Sequence, residues 1–92
     1  MTAEVVNRRL QQEDVYIGRG SPFGNPFRIG EHGTREQVIN AYRSHFEHLL
    51  HDPEFKALVT ELAGARLGCY CKPAACHGDV IVEWLRENGY DE

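Results

Sequence analysis

"ARLGCYCKPAACHGDVIVEWLRENG", Ala65 to Gly89, is the stretch that decides the fold, because it reads as a strand leading into a helix. In "ARLGCYC" the side chains two apart share a face, which would align Cys69 with Cys71 and turn Tyr70 away. Pro73 breaks that strand. From Cys76 onward the pattern becomes helical, with Ile81, Trp84 and Leu85 on an inward stripe and Gly89 as the stop.

Two more helices lie upstream. "TREQVINAYRSHFEHLL" has Thr34 as cap, Gln37 three residues later to complete a capping box, and Val38, Tyr42, Phe46 and Leu49 along one face. "DPEFKALVTELAG" starts with Asp52 as cap and Pro53 at the first helical position, and places Phe55, Leu58, Val59 and Leu62 on one stripe before Gly64 ends it.

Toward the N-terminus, "AEVVNRRL" and "DVYIGR" (Asp14 to Arg19) read as short strands. Between the second strand and the first helix runs "GRGSPFGNPFRIGEHG", where five glycines and two prolines exclude continuous helix. The order is therefore β-β-α-α-β-α, which predicts a small single-domain α/β layer over residues 1–92. Its short sheet should be mainly parallel and packed by helices. Ligands in such sheets bind beyond the carboxyl ends of the strands, where the glycine-rich loop and the cysteine run both leave the sheet.

With 92 residues and 41% hydrophobic content there is material for one core. A domain this small buries only about 60–65% of its unfolded surface. A bound metal or a partner subunit, as in a homodimer, would add stability. The net charge of -4 speaks against a protein that coats nucleic acid, although local arginines can hold one small anion. The chain has no apolar run long enough for a membrane span and no signal-peptide pattern, so a cytoplasmic protein is expected.

All three cysteines fall in one run, and His77 directly follows the last of them. The number is odd and the spacing crowded, unlike a disulfide framework. One reading has Cys69, Cys71, Cys76 and His77 as a Cys₃His zinc set, although the C-x-C and adjacent C-H spacings are unusual for zinc. In another, Cys76 lies at a helix N-terminus that lowers its pKa, and Cys76, His77 and Asp79 form a reactive or polar wall. The plainest reading makes Cys69 and Cys71 small buried hydrophobes and Asp79 a helix cap. The expectation followed here is a reactive Cys76 with no cofactor, and zinc is the alternative.

The loop fits no standard phosphate motif. It offers backbone approach at Gly18, Gly20 and Gly24, a guanidinium at Arg19, a hydroxyl at Ser21 and an amide at Asn25, groups suited to an anionic or sugar-bearing ligand. The competing reading is structural: Asn25 holds the turn before Pro26, and Phe23 and Phe27 plug the core. Arg35 opposes the dipole in the first turn of its helix, which invites a binding role, although an arginine there can also face solvent or pair with Glu31. His45, His48 and His51 read as solvated.

"VYIGRGSPFGNPF", "TREQVINAYRSHF" and "LGCYCKPAACHGDVI" together resemble the phage and bacterial family known as domain of unknown function 4326 (DUF4326). The features that carry the resemblance are Gly18-Arg19, Gly24-Asn25-Pro26, Arg35, Tyr42, and the run from Cys69 through Asp79. It implies a phage or mobile-element context, hence a host cytoplasm, and names no reaction. The run also looks like that of another α/β family in which glutamate replaces the second strand cysteine, a likeness which implies that Cys71 need not be a metal ligand and weakens the zinc reading. The leading expectation is a strand-end cleft that binds, and could act on, a small anionic ligand such as a nucleotide or nucleotide-sugar derivative. Arg19, Asn25 and Arg35 would orient it, with Gly18, Gly20, Ser21, Gly24 and Cys71 around it. The alternative is a non-enzymatic phage module that binds a host protein and uses the Cys/His cluster as a structural zinc site.

Overall fold

The computed structural model describes residues 3–71 and 74–90. Its elements are β1 (Glu4–Asn7), β2 (Val15–Tyr16), α1 (Arg35–Leu49), α2 (Pro53–Thr60), β3 (Arg66–Cys69) and α3 (Gly78–Glu87), in the order read from the sequence. The three strands form one sheet in the order β1-β3-β2, and both pairings are parallel. The small and apolar run Leu67-Gly68-Cys69 is buried throughout, as a strand flanked on both sides should be.

Placing β3 between β1 and β2 forces residues 8–14 to cross the sheet, a span shorter than the dozen or more residues that usually link parallel strands. The crossing is held by an ion pair from Arg8 Nε to Glu13 Oε2 at 2.7 Å, and the Arg8 guanidinium lies 4.6 Å from the centre of the Tyr16 ring. Beneath it Gly68 faces away from Leu67 and Cys69. A Cβ on Gly68 would stand 2.6 Å from Glu13 Cβ, closer than such atoms pack. Gly68→Val is therefore expected to destabilise the domain by about 1–3 kcal/mol through overpacking. A lowered urea midpoint at unchanged slope would show it, and an unchanged midpoint would mean that the crossing lifts at no cost.

The register at β2 is pinned from outside its ladder. Asp14 accepts from the Arg66 backbone N–H at 2.8 Å, and that bond, aided by the Arg66 side chain, holds the Asp14 carboxyl below its usual pKa. The strand is shorter than the expected Asp14 to Arg19, because after Ile17 the chain turns and Ser21 N–H bonds back to Gly18 O at 3.1 Å. β3 likewise ends at Cys69, so Cys71 lies beyond the pleat that was expected to align it with Cys69. The expected break at Pro73 lies outside the described residues.

Both helix starts form as their sequences require. Thr34 Oγ1 accepts from Gln37 N, and Gln37 Oε1 accepts from Thr34 N at 2.9 Å, a complete capping box. Asp52 Oδ1 accepts from Glu54 N at 3.0 Å, with Pro53 next in line. Tyr42, Phe46, Phe55, Val59, Ile81 and Leu85 join Leu67 and Ile17 in one core. Two expected core residues sit elsewhere. Leu58 is 43% exposed, because the short α2 buries only Phe55 and Val59, and Leu62 reaches the core from the turn that follows. Trp84 is half-buried at the margin, stacked on Tyr90 with ring centres 5.5 Å apart and edge-on to Phe46. No helix among the described residues is long and apolar enough to cross a membrane.

Candidate functional site

The carboxyl ends of β2 and β3 open into a cleft of about 580 Å³, within the range of small-molecule sites. Val38, Cys69, Cys76 and His77 are the buried members of its lining. The two halves of the cysteine run meet because the start of α3 presses against the sheet at Gly78. A Cβ there would stand 2.7 Å from Ile17 Cδ1 and 2.8 Å from Val5 Cγ2. This approach brings Cys76 Sγ to 3.4 Å from Cys69 Sγ, and Cys71 Sγ completes a set of three sulfurs within 4.8 Å of one another.

The protonation of this floor differs from the sequence expectation. The Cys76 thiol is pushed up, first by its hydrogen bond with Cys69 and then by burial; the amide of Gly78, which donates to Cys76 Sγ at 3.3 Å, acts in the opposite direction and is outweighed. The direction is opposite to the one that the place of Cys76 near a helix N-terminus suggested. His77 Nε2 lies 2.6 Å from Ile17 O. A carbonyl only accepts, so Nε2 carries the proton, and burial, the largest influence, lowers the His77 pKa and favours the neutral ring. The ring also packs edge-on to Tyr42, whose hydroxyl donates to Phe23 O at 2.9 Å and whose own pKa is raised mainly by burial. Asp79 Oδ2, in the first turn of α3, accepts from Cys76 N at 3.1 Å, and the residue is absent from the cleft lining.

The cleft walls carry charge of one sign. Arg19 enters from the loop after β2, Arg28 from farther along that loop, and Arg35 from the first turn of α1. Among the described residues none of the three forms an ion pair, and no carboxylate lines the cleft, although the chain carries a net charge of -4. Arg35 Nη1 donates to Ala75 O at 3.0 Å, which ties α1 to the cysteine run while the residue stays exposed. Tyr16, Phe27 and Tyr70 supply flat walls, and Ile29 and Tyr70 are each 51% exposed there.

The other loop candidates divide. Gly18 lines the cleft, whereas Gly20, Ser21 and Gly24 do not. Ser21 Oγ is turned to Gly18 O at 2.7 Å. Asn25 lies along the cleft, but its Nδ2 donates to Val38 O at 3.2 Å and its Oδ1 accepts from Phe27 N at 2.9 Å, so its polar atoms hold the loop against α1. Phe23 is buried in the core as expected, while Phe27 faces the cleft. His45 is partly covered by Phe27 and Tyr42, in contrast to the solvated reading. Sequence reasoning missed Arg28, Tyr16 and Tyr70. The signal for Tyr70 was present, since an aromatic that points away from the core at a strand end has nothing to pack on inside.

The chain belongs to the DUF4326 family, a domain of unknown function whose model matches residues 3–87. It is 42% identical over 80 residues to an uncharacterised 12.4 kDa protein in the nrdA-td intergenic region of Enterobacteria phage T4, covering 85% of this chain and 72% of the relative. It is 30% identical over 97 residues to the uncharacterised protein R718 of Acanthamoeba polyphaga mimivirus, covering 84% of this chain and 70% of that one. No solved structure matches it. The chain is a small phage-associated α/β domain whose cysteine cluster could hold a metal ion.

Proposed function

We propose that the strand-end cleft binds a small ligand with an anionic group and a flat, partly apolar body, a nucleotide or nucleotide-sugar derivative being the class that fits best. The observation that carries this is the convergence of Arg19, Arg28 and Arg35 on one cleft that no carboxylate lines among the described residues, in an acidic chain. Guanidinium groups match phosphate and carboxylate oxygens in a planar fork, and unpaired ones remain available for an incoming anion. The exposed Ile29 and the exposed part of Tyr70, whose ring also carries the Arg9 guanidinium 5.1 Å from its centre, suit the uncharged part of such a ligand, and the volume admits a molecule of that size. Asn25 and Ser21, engaged within the loop, shape the site and leave ligand contact to the arginines. The proposal is one of binding and assigns no reaction.

Calorimetric titration with a nucleoside, its monophosphate, its diphosphate and inorganic phosphate tests it. Affinity should rise with each added phosphate, the nucleoside alone should bind weakly, and raised salt should weaken the charged members most. If none of the four binds, or if the uncharged nucleoside binds as tightly as the diphosphate, the anion reading is wrong.

A further inference from the structure

We propose that Cys69, Cys71 and Cys76 hold one zinc ion through three sulfurs and leave its fourth position open to the cleft. The three Sγ atoms come from the end of β3, the residue two beyond it, and the residue two before α3, and all lie within 4.8 Å of one another. At a Zn–S distance of about 2.3 Å, tetrahedral sulfurs stand about 3.8 Å apart. The Cys69–Cys76 separation of 3.4 Å and the 4.8 Å limit bracket that value, so the ion fits with side-chain adjustments of well under an ångström to about one ångström.

The donor set is narrower than the Cys₃His pattern read from the sequence. His77 is outside the group of mutually close ligand atoms, and its Nε2 is engaged by Ile17 O. All three cysteines line the cleft, so the side of the cluster that lacks a protein ligand is the side a water or a bound anion can reach. Three protein ligands with one open position is the arrangement of zinc sites that exchange ligands, whereas closed four-ligand sets are structural. The Gly78 amide that donates to Cys76 Sγ at 3.3 Å is an outer-shell partner that spreads thiolate charge, and the cleft arginines oppose the net negative charge of a zinc ion with three thiolates. An all-sulfur set selects thiophilic ions over magnesium or calcium.

The site rests on the sulfurs and stands whether or not the cleft binds a nucleotide, and its test uses metal alone. Untagged full-length protein, with three free thiols confirmed on the same sample, is titrated with cobalt(II) as a spectroscopic probe and then with zinc. One cobalt per chain is expected, with sulfur-to-metal charge-transfer absorption and tetrahedral ligand-field bands, both abolished by one equivalent of zinc. Added imidazole should shift the ligand-field bands by occupying the fourth position. Cys71→Ser, at the half-buried ligand, should weaken binding more than about tenfold while leaving the metal-free melting temperature within a few degrees of the parent. Absence of the charge-transfer band, or unchanged affinity in Cys71→Ser, would overturn the site. Bands that imidazole does not move would overturn the open position.

Discussion

Phe46→Ala is expected to lower the melting temperature by at least about 12 °C. Phe46 is 1% exposed and meets Phe55 edge-on at 5.9 Å, Tyr42 in a stack at 5.8 Å and Trp84 at 6.2 Å, so it joins α1 to both other helices. Truncating such a side chain costs about 3–5 kcal/mol, because the cavity adds to the lost transfer energy. Each kcal/mol shifts the midpoint of a domain this size by about 4–8 °C, and the whole stability of a small domain is about 5–15 kcal/mol. Trp84→Ala is the informative contrast. Read as an inward residue of the α3 stripe, Trp84 would cost as much as Phe46; half-buried against Tyr90, it should cost about 1–2 kcal/mol. Circular dichroism melts of the two variants decide the matter, and equal losses would restore Trp84 to the core.

The fold was legible wherever a local rule governs. Thr34 with Gln37 and Asp52 with Pro53 announce helix starts through bonds made within a few residues, and the structure contains them. Sheet order was not legible, because β3 inserts between β1 and β2 through contacts 50 or more residues apart, of which Arg66 to Asp14 is one, with a separation of 52. Gly68 stood in the sequence as an ordinary strand glycine, and its reason is the crossing chain at Glu13.

The site divides along the same line. The cysteine run and the Gly18-Arg19 turn stood out because they place polar and reactive residues where a small fold needs none. What failed was orientation. A helix N-terminus lowers a thiol pKa by a local field, and Cys76 does sit near one, but Cys69, brought to 3.4 Å by the packing of Gly78 on the sheet, reverses the sign. Ser21 and Asn25 carry donors that look available in sequence and are turned inward by the loop. Arg28 escaped notice because a single loop arginine has no local signature; only the folded loop brings it toward Arg19 and Arg35.

Arg19→Ala combined with Arg35→Ala is expected to weaken binding of a nucleoside diphosphate by about 10²–10⁴-fold. A hydrogen bond to a charged group contributes about 1.5–3 kcal/mol, and each 1.4 kcal/mol is about tenfold in affinity. Because both arginines face one ligand, their losses need not add, so the upper figure is a ceiling. Both side chains are exposed and neither is in an ion pair among the described residues, so the melting temperature should fall by less than about 5 °C. Arg35 also donates to Ala75 O, and Arg35→Lys separates the two roles of that residue, since lysine keeps the charge but loses the planar fork. Calorimetry should place Arg35→Lys between the parent and Arg35→Ala. Affinity of the double variant within about threefold of the parent would show that the cleft arginines do not hold the anion, and the binding proposal would fall while the three-sulfur site, which contains neither residue, would stand.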